Sequence, residues 1–330
     1  MGKLFIIGGK QKEDAAVLPE WYNTEEAAIY EVDLESEEVK QVFAYTGDVQ
    51  YKADESSAVT FKSGYFDKEK SLIYACTLTE VLVVSTIDFK IVNHISLPSF
   101  NDVHYVRPYK DNSLLVVSTG LDLLQQIDMN GKVLNEWDAL RELPTWERFD
   151  KNTDYRKVST TKPHKSHPNF VSVVNDKLWL TRFEQKDAIC LDDLKRIAID
   201  IERPHDGYLY NSLLYYTTVN GYVVIADPNT AEIIDTIDLN GINNTYNLSL
   251  GWCRGITMLS EDIAVVGFTI IRKTKFKDNI NWLKVAKKNL QRLTKKKTRI
   301  GVYDLKKKTL IKEINLENHG LNVLFSVLSI

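Results

Sequence analysis

Short apolar runs, each opened by a polar turn, recur along the chain. Segments 112–120 (NSLLVVSTG), 176–183 (DKLWLTRF), 211–219 (NSLLYYTTV) and 261–269 (EDIAVVGFT) share one pattern, an apolar or β-branched run closed by Thr, Arg or Gly. A second run follows most of them and ends at an aspartate: LLQQIDM, AICLDD, YVVIADP, RIGVYDL. A third follows a turn such as MNGK, PNTA or LKKK. β-rich runs at regular spacing between turn residues predict an all-β repeat architecture. Four strands per unit of about 40 residues predict a propeller.

Six such units can be drawn. Blades 2 to 6 cover 57–96, 102–137, 167–200, 205–238 and 253–315. Blade 1 is split. KLFIIG, AAIYEVDL and VKQVFAYT supply its outer strands, and GLNVLFSVLSI at the C-terminus supplies its innermost one. The prediction is a six-bladed β-propeller in one domain, 1–330, closed by the C-terminal strand joining the N-terminal blade. Closure in this way removes an open sheet edge.

The long connections do not scatter. With strands a to d antiparallel within each blade, segments 9–26, 138–166, 239–252 and 271–297 all emerge on the face where b–c and d–a connections lie. The other face has tight turns such as NDK and DPNT. Long loops on a rigid scaffold usually carry function, which makes the elaborated face the working face.

Strand a enters the central channel from that face, and its first residues are predicted to ring the mouth. They read SSAV (56–59), NDVHYV (101–106), SHPNFV (166–171), PHDGYL (204–209), WCRGIT (252–257) and GLNVLF (320–325). His104, His167 and His205 fall in comparable places, three of the six histidines in the chain. Converging neutral imidazoles suit a divalent transition metal such as Zn, Fe, Mn or Ni, with positions left open for water or substrate. Asp206 and Asp102 are candidate ligands or tautomer-fixing partners. Arg254 would position an anionic substrate by forked hydrogen bonds. Asn169, Arg182, Glu184 and Asn322 are candidates for the surrounding layer. The bland alternative is polar filling of a wet channel. His164 is an outer ligand or an exposed loop residue, and His94 and His319 read as structural.

Net charge is −3, which gives no bulk basic signal for nucleic acid, and sequence-specific nucleic-acid binding is not expected. The charge is uneven, because 272–297 holds eleven Lys or Arg and one Asp. Ile280, Leu283, Ala286, Leu290 and Leu293 make an apolar stripe there, which predicts a basic amphipathic helix at about 278–294. Such a helix docks as a lid over the mouth, or contacts an anionic membrane surface or polyanion. Mean hydropathy is −0.25, and no apolar run approaches the roughly 20 residues of a membrane span. Cys76, Cys190 and Cys253 are odd in number and far apart, which fits a reducing cytoplasm better than a disulfide framework.

The run DYRKV…SHPNFV…LWLTRF…DAICLDD…PHDGYLYNSLLYYTTVNGYVVIAD…GWCRGI resembles a functionally uncharacterised family of bacterial six-bladed β-propellers. The likeness covers about residues 55–315, carried by the HPN, PHDG and WCRG segments. It implies the fold and no activity. More distantly, the axial histidines are similar to those of metal-using propellers such as carotenoid oxygenases and streptogramin lyases. Carotenoid oxygenases use four histidines where this ring shows three.

The sequence therefore leads to a metal-dependent enzyme of lyase or hydrolase type acting on a small anionic substrate at the channel mouth. The alternative is a non-catalytic propeller binding a protein, glycan or anionic surface through its elaborated face.

Overall fold

A computed structural model describes residues 2–13, 18, 23–53, 58–242, 250–270 and 296–330. Its strands form six four-stranded antiparallel sheets, each built from consecutive strands except one. In that one, Val323–Ser329 pairs with Lys3–Gln11, joining the last strand to the first blade. The six-bladed ring and its closure are as the hydrophobic pattern predicts. The basic helix expected at about 278–294 lies outside the described residues.

The innermost strands are Gly64–Asp67, Val103–Tyr109, Pro168–Val174, Pro204–Tyr210, Trp252–Met258 and Val323–Ser329. Burial explains why the second strands read as unbroken apolar runs. Ser113–Ser118 is buried at every position, because each blade is covered by a neighbour on both sides. The outermost strand has only one covered flank, and Glu232–Asp238 is mostly exposed. Apolar clusters fill the gaps between blades; one holds Trp179 and Tyr216, another Tyr303 and Phe268. Burying a side chain of that kind contributes about 1.5–3 kcal/mol.

The tight-turn face owes its shape to a few residues. Asp111–Asn112, Asn175–Asp176 and Asn211–Ser212 all have both residues at positive φ, between 47° and 65°. That is the geometry of a type I′ hairpin turn, which Asn and Asp adopt more readily than other side chains. Among the described residues, no helix is long and apolar enough to cross a membrane.

One elaborated segment goes beyond those predicted. Residues 46–63 connect blade 1 to blade 2 on the same face, and the inner strand of blade 2 starts later than SSAV implies. Backbone pairing there begins with Lys62 N–H donating to the Cys76 carbonyl.

Candidate functional site at the axial mouth

The inner strands do not reach the axis as plain strands. Their pairing slips by one residue between Val103 and Tyr105, between Pro204 and Asp206, and between Arg254 and Ile256. The C-terminal strand slips at the same level, where Ile7 pairs with Ser326 and Gly8 with Leu324. The extra residues are His104, His205, Gly255 and Phe325. In blade 4 the slip falls between Pro168 and Val171 and takes in Asn169 and Phe170. A bulge leaves a residue unpaired and re-aims its side chain, so one tier of the ring is turned toward the axis. Lys62 holds the corresponding place in blade 2, since KSGY (62–65) aligns with HDGY (205–208).

This register sharpens the expected histidine ring. His104 and His205 occupy equivalent bulge positions, whereas the blade 4 equivalent is Asn169. His167 sits two residues earlier, at φ +55°. It still joins the cluster: the His104 ring centroid is 5.1 Å from that of His167 and 5.9 Å from that of His205. Asp122 sets the His167 loop in place. Its buried carboxylate accepts the backbone N–H groups of Lys165, Ser166 and His167 at 3.1, 3.0 and 2.7 Å, and is paired with Arg148 at 2.9 Å.

Hydrogen bonds fix the tautomers. His104 Nδ1 lies 2.8 Å from the Asp102 carbonyl oxygen and must donate to it, leaving Nε2 with a lone pair. The Thr161 hydroxyl donates to the Gly120 carbonyl at 2.5 Å, so His164 Nε2, at 3.2 Å, donates to the Thr161 oxygen. His164 Nδ1 then accepts from His167 Nδ1 at 2.7 Å, and His167 Nε2 keeps its lone pair. His164 is thus a hydrogen-bonded partner of His167.

Burial, the largest cause, pushes all four imidazoles below the ordinary histidine range. His104 and His167 go well below it, with Lys62 adding to the effect on His104 and the neighbouring rings adding to it on His167. Burial, the largest single cause, acts to raise the Asp102 carboxyl, but the neighbouring groups, Lys62 first among them, together hold it well below the usual carboxylate range. The Lys62 ammonium is 3.2 Å from Asp102 and 4.7 Å from the Phe325 ring centroid. The Arg254 guanidinium is 4.1 Å from the same centroid. Asp206 accepts from the Gly255 N–H at 2.9 Å and the Ser63 hydroxyl at 3.3 Å, with His205 Nδ1 at 3.5 Å.

The other expected residues make contacts of their own. Arg182 makes a two-pronged bond to the fully buried Asp187, at 2.8 and 2.6 Å, between strands of blade 4. Glu184 is an exposed partner of Arg203. Asn322 accepts from the Gln11 N–H at 3.0 Å and so pins the closing strand. Asn169 is buried and donates to the Pro204 carbonyl at 3.4 Å, with its Oδ1 left without a partner. His94 bonds the buried Glu80, and the His319 carbonyl accepts from Tyr30, both structural roles. The three thiols are buried and free, and burial pushes Cys76 up to about 12. Sequence reasoning missed Lys62, Phe325 and Asp122. The KSGY–HDGY alignment was the available signal for the first.

Among the described residues, no group of three or more His, Cys, Asp or Glu side chains is placed to hold a metal ion. The Nδ1 atoms of His104 and His167 are already committed to hydrogen bonds, and two cations share the cluster.

No protein-family model matches the chain, and no curated protein matches it. Solved structures do. A protein of unknown function from Bacteroides caccae aligns over 100% of this chain and 99% of its own, at 11% identity and a TM-score of 0.63. A chain from a nidogen/laminin complex aligns over 99% of this chain and 97% of its own, at 11% identity and a TM-score of 0.56. At such identity the likeness shows a shared fold and nothing finer, and the fold is the six-bladed β-propeller.

Proposed function

We propose that the elaborated mouth of the channel binds a small molecule through an anionic group, a carboxylate or a phosphate. One observation carries the reading. Two buried cations, Lys62 and Arg254, lie against one ring, Phe325, beside histidines that burial keeps neutral. Cations held away from water attract an anion more strongly than cations on the surface. Neutral imidazoles add polar contacts without adding charge. A cavity of about 30 Å³ lies at the mouth, lined by Lys62, Lys162, Asp102, Thr160 and Phe325. That is room for a water molecule or two. The anionic group enters it, and the remainder of the ligand lies across the elaborated face.

A metal-dependent lyase or hydrolase is the second reading. It is favoured by the Nε2 lone pairs of His104 and His167, the form in which imidazole binds a transition metal, with His205, Asp102 and Asp206 close by. Arg254 would then hold the substrate's anionic group. A divalent ion at this place would face Lys62 and Arg254, and for that reason the anion reading is preferred. Binding of a protein, glycan or anionic surface would use the same face. The basic segment that favours it lies outside the described residues apart from Lys296 and Lys297.

Calorimetric titration of untagged protein with inorganic phosphate and with succinate tests the proposal, with elemental analysis of the same sample. The expected result is binding that falls at least tenfold in Lys162→Met, a position that lines the cavity at the mouth. No binding by the wild type, or equal binding by the variant, overturns it. Stoichiometric metal that is lost in His104→Gln would establish the second reading in its place.

A further inference from the structure

The opposite end of the channel holds a larger space. One step along each inner strand from the bulge tier comes the next tier: Ser63, Tyr105, Phe170, Asp206, Ile256 and Ser326. These six residues, from all six blades, line a cavity of about 210 Å³ that opens on the tight-turn face. A cavity of about 150 Å³ holds a benzene ring, so this one takes a molecule of about ten heavy atoms.

Its walls define the occupant. Tyr105 and Phe170 are buried and meet edge to face, with ring centroids 4.8 Å apart, and Tyr65 adds a third ring. Arg107 also lines the cavity, half-buried, with its guanidinium 5.2 Å from the Tyr65 ring centroid. Its Nε reaches the Pro108 carbonyl at 3.4 Å, and its two terminal nitrogens make no hydrogen bond among the described residues. At the level of Arg107 on the adjacent blade, the Ser172 hydroxyl is fully buried and has no partner. The Asp206 carboxylate, already accepting from Ser63 and Gly255, retains lone pairs.

We infer that this cavity is a second binding site, for a small aromatic carboxylic acid carrying a hydrogen-bond donor at its far end. The carboxylate takes the fork of Arg107, which matches it in planarity and spacing. The ring lies among Tyr65, Tyr105 and Phe170, which supply most of the apolar contact. The Ser172 hydroxyl, level with Arg107, donates to the same carboxylate, ending the cost of a buried hydroxyl without a partner, and the donor at the far end meets Asp206. Orientation follows from charge, because a carboxylate turned inward would meet Asp206. The site is independent of the one at the mouth.

Calorimetry with 4-hydroxyphenylacetate tests the inference, with 4-hydroxyphenylacetamide as the neutral comparison. The acid binds one per chain and the amide at least tenfold more weakly. Arg107→Met lowers affinity for the acid at least tenfold and removes its advantage over the amide. Ser172→Leu, which fills the cavity, removes binding of both, with folding checked by circular dichroism. No binding of the acid to the wild type at millimolar concentration overturns the inference. Equal binding of acid and amide, or undiminished binding of the acid by Arg107→Met, overturns it as well.

Discussion

Lys62→Met removes one half of a buried ion pair and leaves the other half behind. The Lys62 and Asp102 side chains are 7% and 15% exposed, with their charged atoms 3.2 Å apart. Breaking such a pair from one side costs about 3–5 kcal/mol, most of it the penalty of a buried charge without a counterion. Removing both charges costs much less. Asp102 sits at φ +48°, a conformation that Asn tolerates well, so Asp102→Asn changes the charge and little else. Equilibrium urea unfolding of the wild type, both single variants and the Lys62→Met/Asp102→Asn double variant completes a thermodynamic cycle. The expected outcome is a loss of about 3 kcal/mol or more in Lys62→Met, with the double variant nearer to wild type than that single one. A loss below about 1 kcal/mol in Lys62→Met that simply adds to that of Asp102→Asn would refute the reasoning. The pair would then be behaving as a solvated surface contact.

Acid destabilises the ring through its histidines. His104 and His167 have folded pKa values well below the ordinary one, so below about pH 6.5 the unfolded chain binds more protons than the folded one. Stability is therefore full above that pH and falls as pH drops, by up to about 1.4 kcal/mol per pH unit for each histidine. Urea midpoints measured from pH 7.5 to 5 should show this slope, and His104→Gln should reduce it by one proton's worth; an unchanged slope would contradict the assignment. Gly255→Ala tests the bulge tier. At φ +67° its added Cβ would lie 2.9 Å from the Val327 nitrogen, so the variant loses more than the roughly 1–2 kcal/mol of the left-handed conformation alone. Thermal unfolding that matches wild type would show that the backbone there relaxes freely.

The ring was legible because its signal is repeated. Four clear copies of a turn, an apolar run and a second run ending in aspartate set the repeat from which the six blades are drawn. The candidate site was only partly legible, because its geometry depends on strand register, and hydrophobic patterning does not encode a bulge. His104 and His205 align when aromatic and glycine positions are matched, whereas His167 reaches the same cluster from a loop held by Asp122. Nothing near Asp122 in sequence marks it as the acceptor of three backbone N–H groups 43 to 45 residues away. Lys62 was hidden by an assumption of equal blade spacing, which the long segment 46–63 breaks. Arg182 stands at the end of a strand on the working face, and its sequence context does not show that it is one arm of a buried ion pair with Asp187.

The bulge tier also explains how one channel comes to have two unlike ends. Without the extra residue, side chains along an inner strand would alternate between the flanks of its own blade. With it, Phe325, His104 and His205 crowd the axis at one level, their ring centroids 5.9 to 6.4 Å apart. Lys62 and Arg254 pack against Phe325 at the same level, and together these groups make a partition. The residues one step further along, Asp206 and Ser63 among them, face the larger cavity on the other side. Asp206 ties the two levels together, since its carboxylate holds the Gly255 N–H of one bulge while lying beside His205 of another. The partition therefore lies between the two spaces, with Lys162 lining the one at the mouth and Arg107 the one at the far end.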